Sequence, residues 1–372
     1  MSSMKKLTLG TAVLSLAAVL ASPSFAADTT KVDLAPNKKG TVADLQPMSK
    51  FCGTKKIKVA LSDGWGGNYW RHLTRAEFED EAAKCKNITE TKYTDGEFKP
   101  EKQIADIEGL VAQHYDVIVT FLDGGAAITK ATREATKAGV AVVPYDTGTP
   151  ADNFPGKIGR DYIDRVTEDQ VVIGQQFATW LAEALHSKGN VLIFGGTPGN
   201  PMTGAQVTGW AAVFKKYPDI HVLEGQPVPT NWDPAVAQQK TAALIAKYPQ
   251  IDGIYSETTG PIRAFIAAGK PVPTYVGQSL MDLSCLAADH PGFKMASLDA
   301  HTWMVRLALR KAVAAAEGID NTEPSLITLP FTEDNTSNNP KLAIKCDKQM
   351  PADAIPSAML TKTEQLSALG GK

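Results

Sequence analysis

The most constraining feature of this chain is an alternation of short Val/Ile-rich runs with longer amphipathic stretches, sustained from Ile57 to Glu317. Strand-like runs occupy Ile57 to Leu61, Asp116 to Phe121, Val140 to Pro144, Val191 to Phe194, Ile251 to Tyr255, Thr274 to Gly277 and Met295 to Leu298. Less apolar candidates lie at Thr89 to Tyr93, Ile158 to Gly159 and His221 to Leu223. Runs that stay apolar belong to strands covered on both faces, as in parallel sheets. Between them, helical spacing marks Trp70 to Lys86, the stripe Ile104, Ile107, Leu110 and Val111 behind Pro100, and Ile128 to Lys137, closed by Gly139. It recurs at Val171 to Ala184, Thr208 to Lys216, Pro234 to Lys247, Pro261 to Ala268 and Trp303 to Glu317. Strand and helix in turn predict an α/β architecture with parallel sheets. One sheet of about ten parallel strands would be unusually wide, so two sheets are expected. Chain crossings between them are expected near Thr147 to Pro155, Leu298 to Thr302 and Pro324 to Phe331. The tail from Thr332 reads as an irregular extension held by Cys346 and ending in a short helix.

Ahead of this pattern stand Lys5 and Lys6, an apolar run from Leu7 to Leu20 and Ser24-Phe25-Ala26, the order of a secretory leader with a cleavage site near Ala26. No later stretch approaches the roughly 18 unbroken apolar residues of a membrane span. The mature chain, about 346 residues, is therefore expected to be exported and soluble, and long enough for two domains. Without the two leader lysines it carries 36 basic against 40 acidic residues, a mild acidity that argues against nucleic acid or an anionic membrane as partner. Cys52, Cys85, Cys285 and Cys346 fit an oxidising compartment and allow three pairings. Cys52 precedes the first strand and Cys85 closes the following helix, ends that share one edge of a βα unit. That favours Cys52–Cys85 and leaves Cys285–Cys346.

Motifs for chemistry are missing: no GxSxG elbow, HExxH pair, phosphate-binding Gly-x4-Gly-Lys-Ser/Thr or EF-hand spacing occurs. The six histidines are scattered without an i, i+4 pair, so neither a metal nor another cofactor is expected. Gly195-Gly-Thr-Pro-Gly-Asn-Pro-Met-Thr-Gly204 follows a strand but lacks the GxGxxG order, and its two prolines have no N–H for a phosphate. Polar residues instead recur at strand ends: Asp123, Asp146, Glu257, Gln278, Ser279 and Asp299. Asp123, standing before a helix, also reads as its cap. In the loop Leu61 to Arg71, Gly64, Gly66 and Gly67 permit tight turning, while Trp65, Tyr69 and Trp70 offer flat faces beside Asn68 and Arg71. Such a mixture suits a polyhydroxylated ligand, whose C–H faces stack on rings and whose hydroxyls seek charged or amide partners.

From Lys56 to Phe331 the chain resembles the type I, ribose-binding-like periplasmic sugar-binding proteins of ABC importers. The carriers are Ser62 to Trp70, Val142-Val-Pro-Tyr-Asp146, Ile158-Gly-Arg-Asp161 leading to Gly174, Gly195-Gly-Thr to Gly209-Trp210, and Asp252-Gly-Ile-Tyr-Ser256. The resemblance implies two Rossmann-like lobes joined by three crossover segments and closing over a sugar. It divides the chain into a leader (1–26), a lead-in (27–54), a first lobe (55–150 and 300–323), a second lobe (151–299 and 324–340) and an extension (341–372).

By position, Asn68 and Trp70 match a first-loop amide and stacking aromatic, Asp146 a hydroxyl-binding carboxylate and Trp232 a second-lobe aromatic. Ser279 falls where an Asp is usual, Thr258 where an Asn is common and Gln206 where an Arg is common. Thr147 replaces a frequent Arg, and Arg71 is expected to supply the missing guanidinium, as in relatives of the galactofuranose binders. The implied protein is a periplasmic monomer that binds a neutral sugar or polyol without cofactor, performs no chemistry and serves an inner-membrane permease. A sensor presenting a sugar or furanose-like signal to a chemoreceptor or kinase shares the same features. An exported sugar-modifying enzyme using Asp123, Asp146 and Glu257 is the reading from another class.

Overall fold

The computed structural model describes residues 32–146, 154–198 and 201–370. The leader, residues 147–153 of the expected first crossing, and Gly199-Asn200 of the glycine-rich stretch lie outside them. The first lobe runs from β1 (Lys39–Gly40) through β2 (Ile57–Asp63), α1 (Tyr69–Ala83), β3 (Ile88–Asp95), α2 (Pro100–Ala112), β4 (Val117–Phe121) and α3 (Thr129–Lys137) to β5 (Ala141–Pro144). β3-β2-β4-β5 form a parallel sheet. The second lobe follows β6 (Thr167–Glu168) with α4 (Gln170–Ala184), β7 (Lys188–Gly195), α5 (Pro201–Phe214), β8 (Asp219–Val222), β9 (Val228–Pro229) and α6 (Pro234–Lys247). It continues through β10 (Gly253–Tyr255), α7 (Gly260–Ala267), β11 (Thr274–Gln278), α8 (Met281–Asp289) and β12 (Met295–Leu298). The chain then returns as α9 (Met304–Glu317) and closes with β13 (Leu326–Ile327), β14 (Phe331–Asp334) and α10 (Lys362–Ala368). The second sheet has the order β14-β12-β11-β10-β7-β8, with β9 on β7 and only β14 antiparallel.

Local chemistry sets the helix starts. Asn68 accepts the Arg71 N–H at 2.9 Å to cap α1, and Asp169 and Asp233 cap α4 and α6 in the same way. Val59 and Leu61 point into one layer and Ala60 into the other, which is why the run is apolar throughout. Three crossings join the lobes, and two of them pair as β6 and β13 in a small parallel sheet with β1.

The first crossing lies later than expected. Residues 154–165 stay with the first lobe: Phe154 and Tyr162 are buried with Ile118 and Val142, the Ile163 N–H reaches the Val142 carbonyl, and buried Asp161 pairs with Arg133 and Arg160. The chain changes lobe at Thr167-Glu168, so the expected boundary after residue 150 moves to this point. Ile158 makes only an isolated bridge to Tyr162 rather than a strand. The tail from Thr332 is not irregular at its start, because β14 extends the second sheet along β12. The helix expected from Thr208 begins at Pro201 and absorbs the end of the glycine-rich stretch.

α9 returns to the first lobe and carries buried charges that are all engaged. Arg306 binds Glu77 and Glu81, Arg310 reaches Glu81 at 2.7 Å and Glu323 at 3.1 Å, and Lys311 lies 3.2 Å from Asp164. Lys311 also donates to the Leu34 carbonyl, tying the lead-in down. Charges at this depth persist only when paired. Disulfides join Cys52 to Cys85 and Cys285 to Cys346, with Cα separations of 5.6 and 4.6 Å, so the second anchors the tail to α8. Among the described residues no helix is long and apolar enough to cross a membrane.

Candidate functional site

The carboxyl ends of β2, β4 and β5 deliver Asp63, Asp123 and Tyr145 to one place, and the first turn of α1 inserts Arg71 among them. The guanidinium donates to Asp123 Oδ1 at 2.8 Å, stands 3.5 Å from Asp63 Oδ1 and lies 3.5 Å above the Phe121 ring centre. Asp63 also accepts the Tyr145 hydroxyl at 2.9 Å. Burial drives the Asp63 carboxyl up to about 7 against the pull of Arg71, and it raises Asp123 as well. Asp123 does not cap the helix after it. Its other oxygen takes the Gly64 N–H at 2.8 Å, so it ties the β2 loop to Arg71 instead.

Trp70 lies half-buried, stacked parallel to Tyr145 with centres 6.4 Å apart and donating to the Ala300 carbonyl at 2.7 Å. Trp65 stacks on Phe98 at 4.3 Å rather than on this cluster. Asn68, expected as a ligand amide, spends its side-chain oxygen on the α1 cap.

Asp146 follows β5 with φ +31° and accepts from His301 Nε2 at 2.9 Å, beside the buried Glu168. Burial disfavours both charged forms, but the pair holds His301 up at about 10 and Asp146 below its ordinary value. Burial and the adjacent Asp146 charge push Glu168 well up. Asp299 receives the His301 N–H at 2.7 Å and the Trp303 indole N–H, so it shapes the second crossing.

The second lobe offers a hydrogen-bonded relay. Gln170 donates to Glu168, Gln206 donates to Gln170 at 2.9 Å and to Glu257 at 3.3 Å, and Glu257 accepts the Trp232 indole N–H and the Tyr255 hydroxyl at 2.8 Å. Gln278 adds a 3.5 Å contact to Glu257. Backbone geometry fixes both ends. A Cβ at Gly174 would sit 2.2 Å from the Gln206 carbonyl oxygen, so α4 and α5 touch backbone to backbone there. A Cβ at Gly196 would collide with the Trp232 ring, which therefore lies directly on the glycine-rich turn. Asn231 and Trp232 both hold φ +56°, a conformation that costs a bulky residue energy and that aims the indole. Thr258 is folded onto Ser256, and buried Ser279 keeps a hydroxyl with no partner. Tyr69 brings the lobes into electrostatic contact, its hydroxyl raised by burial and by the charges of Asp353 and Glu257.

The structure thus gathers Trp70, Arg71 and Asp146 on one lobe and Gln206, Trp232, Glu257 and Gln278 on the other, while Asn68, Thr258 and Asp299 are engaged mainly in shaping their own segments. Glu168, Gln170, Tyr255 and His301 escaped the sequence reading. A polar strand end preceding Asp169 was the only available signal for Glu168, and nothing marked His301 among six scattered histidines.

The model of the periplasmic binding protein domain matches residues 59–320. A xylitol-binding protein of Mycolicibacterium smegmatis is 26% identical over 262 residues, 69% of this chain and 72% of that protein. The D-allose-binding periplasmic protein of Escherichia coli is 27% identical over 182 residues, 48% of this chain and 57% of the relative. An ABC transporter periplasmic solute-binding protein of Actinobacillus succinogenes, solved with bound D-allose, superposes with a TM-score of 0.63 at 22% identity, covering 74% of this chain and 97% of that one. That last likeness is one of fold.

Proposed function

This chain belongs to the periplasmic binding protein family, and from that premise we propose that it captures a neutral sugar or polyol between its lobes and delivers it to an inner-membrane ABC permease. The observation that supports this reading is that each lobe carries an aromatic ring beside fixed hydroxyl-seeking groups, Trp70 with Arg71 and Asp146 on one and Trp232 with Glu257 and Gln206 on the other. Trp70 and Trp232 stack on the apolar faces of the ring or chain, each contributing about 1 kcal/mol beyond area burial. Arg71, Asp146 and Gln206 take hydroxyls, with charged bonds worth roughly 1.5–3 kcal/mol each. Arg71 and His301 are each already matched by carboxylates, so neither offers an unmatched positive charge to an anionic ligand, and a neutral one fits better. Relatives named for xylitol and D-allose, both uncharged, support the same class.

Binding biases an open–closed equilibrium about the β6, β13 and Asp299–Thr302 crossings, and the permease reads the closed form. The protein acts as a monomer in the periplasm, with its leader removed near Ala26, and catalyses nothing. A thermal-shift screen of the mature protein against pentoses, hexoses and polyols tests the proposal. A neutral sugar or polyol should raise the melting temperature in a saturable way. No stabilisation by any of them, or chemical turnover of one, would overturn it.

A further inference from the structure

A second cluster shares Asp146 with the proposed sugar site and forms where the end of β5 meets two of the three crossings. Asp146 leaves β5, Glu168 ends β6 and His301 sits in the return from β12 to α9, and one donor atom from each lies within 4.8 Å of the other two. All are buried, at 4%, 0% and 5% exposure. Glu168 Oε1 is held by the Gln170 amide, whereas its Oε2 receives no donor from elsewhere in the protein and is left to share a proton with Asp146. The His301 ring is oriented from behind, with Nδ1 3.4 Å from the Asp299 carbonyl and Nε2 turned toward the carboxylates. That is how histidine ligands are usually held, the far nitrogen donating to a carbonyl. Arg71, the nearby permanent cation, is already committed to Asp63 and Asp123. Asp146 at φ +31° and His301 at φ +48° both hold a backbone conformation that side chains rarely adopt, and it turns them toward each other.

We propose that Asp146, Glu168 and His301 form a divalent-cation site that pins the crossings together. One imidazole nitrogen with two carboxylate oxygens suits Zn2+ or Mn2+ better than Ca2+, which takes six to eight oxygens. An ion there ties the end of β5 to the first and second crossings. Through Gln170 and Gln206 it is linked to Glu257 and Trp232.

The test uses the full mature chain, stripped with EDTA and titrated with ZnCl2, MnCl2 or CaCl2 in the absence of any sugar, so it is read separately from the sugar assignment. About one equivalent of Zn2+ or Mn2+ should bind and raise the melting temperature. Glu168→Gln and His301→Gln should each weaken it at least tenfold, whereas His221→Gln, on an exposed β8 residue, should not. In the unmodified protein Mn2+ should broaden the NMR signals of His301 and leave those of His221 sharp, a readout that needs no variant to fold. No stoichiometric uptake, as a cluster that only shares a proton would give, overturns the proposal. So does uptake that leaves His301 unbroadened, or variants that bind as tightly as the parent.

Discussion

The two lobes present faces built on different physics. On the first, a guanidinium is clamped between two carboxylates and laid on Phe121, all within a few ångströms, with Arg71 and Asp63 out of water and Asp123 at the rim. On the second, amides pass hydrogen bonds from Gln170 through Gln206 to Glu257, and the outermost partner is a half-buried indole resting on Gly196. A buried charge stripped of its partner is far more costly than a lost neutral hydrogen bond. The first face should therefore be coupled to folding and the second to ligand affinity.

The largest expected effect lies on the first face. Arg71→Ala leaves Asp63 and Asp123 facing each other without a cation, and urea unfolding should register a loss of about 3–5 kcal/mol. A loss below about 1 kcal/mol would mean that the clamp does not support the fold, and the contrast between the faces would collapse. Trp232→Ala should do the reverse. Affinity for whichever sugar binds should fall at least tenfold, about 1.4 kcal/mol, with the unfolding free energy changed by less than that amount. Affinity within about threefold of the parent would break the assignment of the second face.

Protonation sharpens the same comparison. The Asp63 carboxyl stands near 7 in the folded chain and near 3.8 when unfolded, so between those values the folded state holds the extra proton. Its contribution to stability is present at low pH and is lost as pH rises from about 4 through 7, with a slope of at most about 1.4 kcal/mol per pH unit. Asp63→Asn should flatten that slope in pH-dependent melts, and an unchanged profile would show that Asp63 titrates normally. The smallest effect concerns the two disulfides, with sequence separations of 33 and 61. In the chain-entropy relation the ratio 61/33 is worth about 0.5 kcal/mol. Removing Cys285–Cys346 should therefore cost slightly more than removing Cys52–Cys85 in non-reducing urea melts.

How far the sequence could be read follows the same division. The strands of both sheet centres were legible because burial on both faces leaves a continuous apolar run, as in Val117–Phe121. Phe331–Asp334 was not, since an edge strand with polar residues gives no such run. The sequence reading puts residues 154–165 in the second lobe because their two buried rings, Phe154 and Tyr162, lie too far apart to show which sheet they pack on. In the site, Trp70 and Trp232 stood out by residue type. Asp123 was visible as a strand-end carboxylate and a helix cap, but its pairing with Arg71 was not, because that partner is 52 residues away.

Sequence alone determined the alternation of elements and the supply of rings and carboxylates at strand ends. Each depends on residues a few positions apart, where backbone geometry dictates what neighbours can do. Only the tertiary structure decided that Asp146 meets His301 across 155 residues, that Glu168 joins them, and that Arg71 is clamped between two carboxylates. Those meetings depend on where three crossings bring distant segments together, and the burial that sets their charges exists only once the lobes have packed.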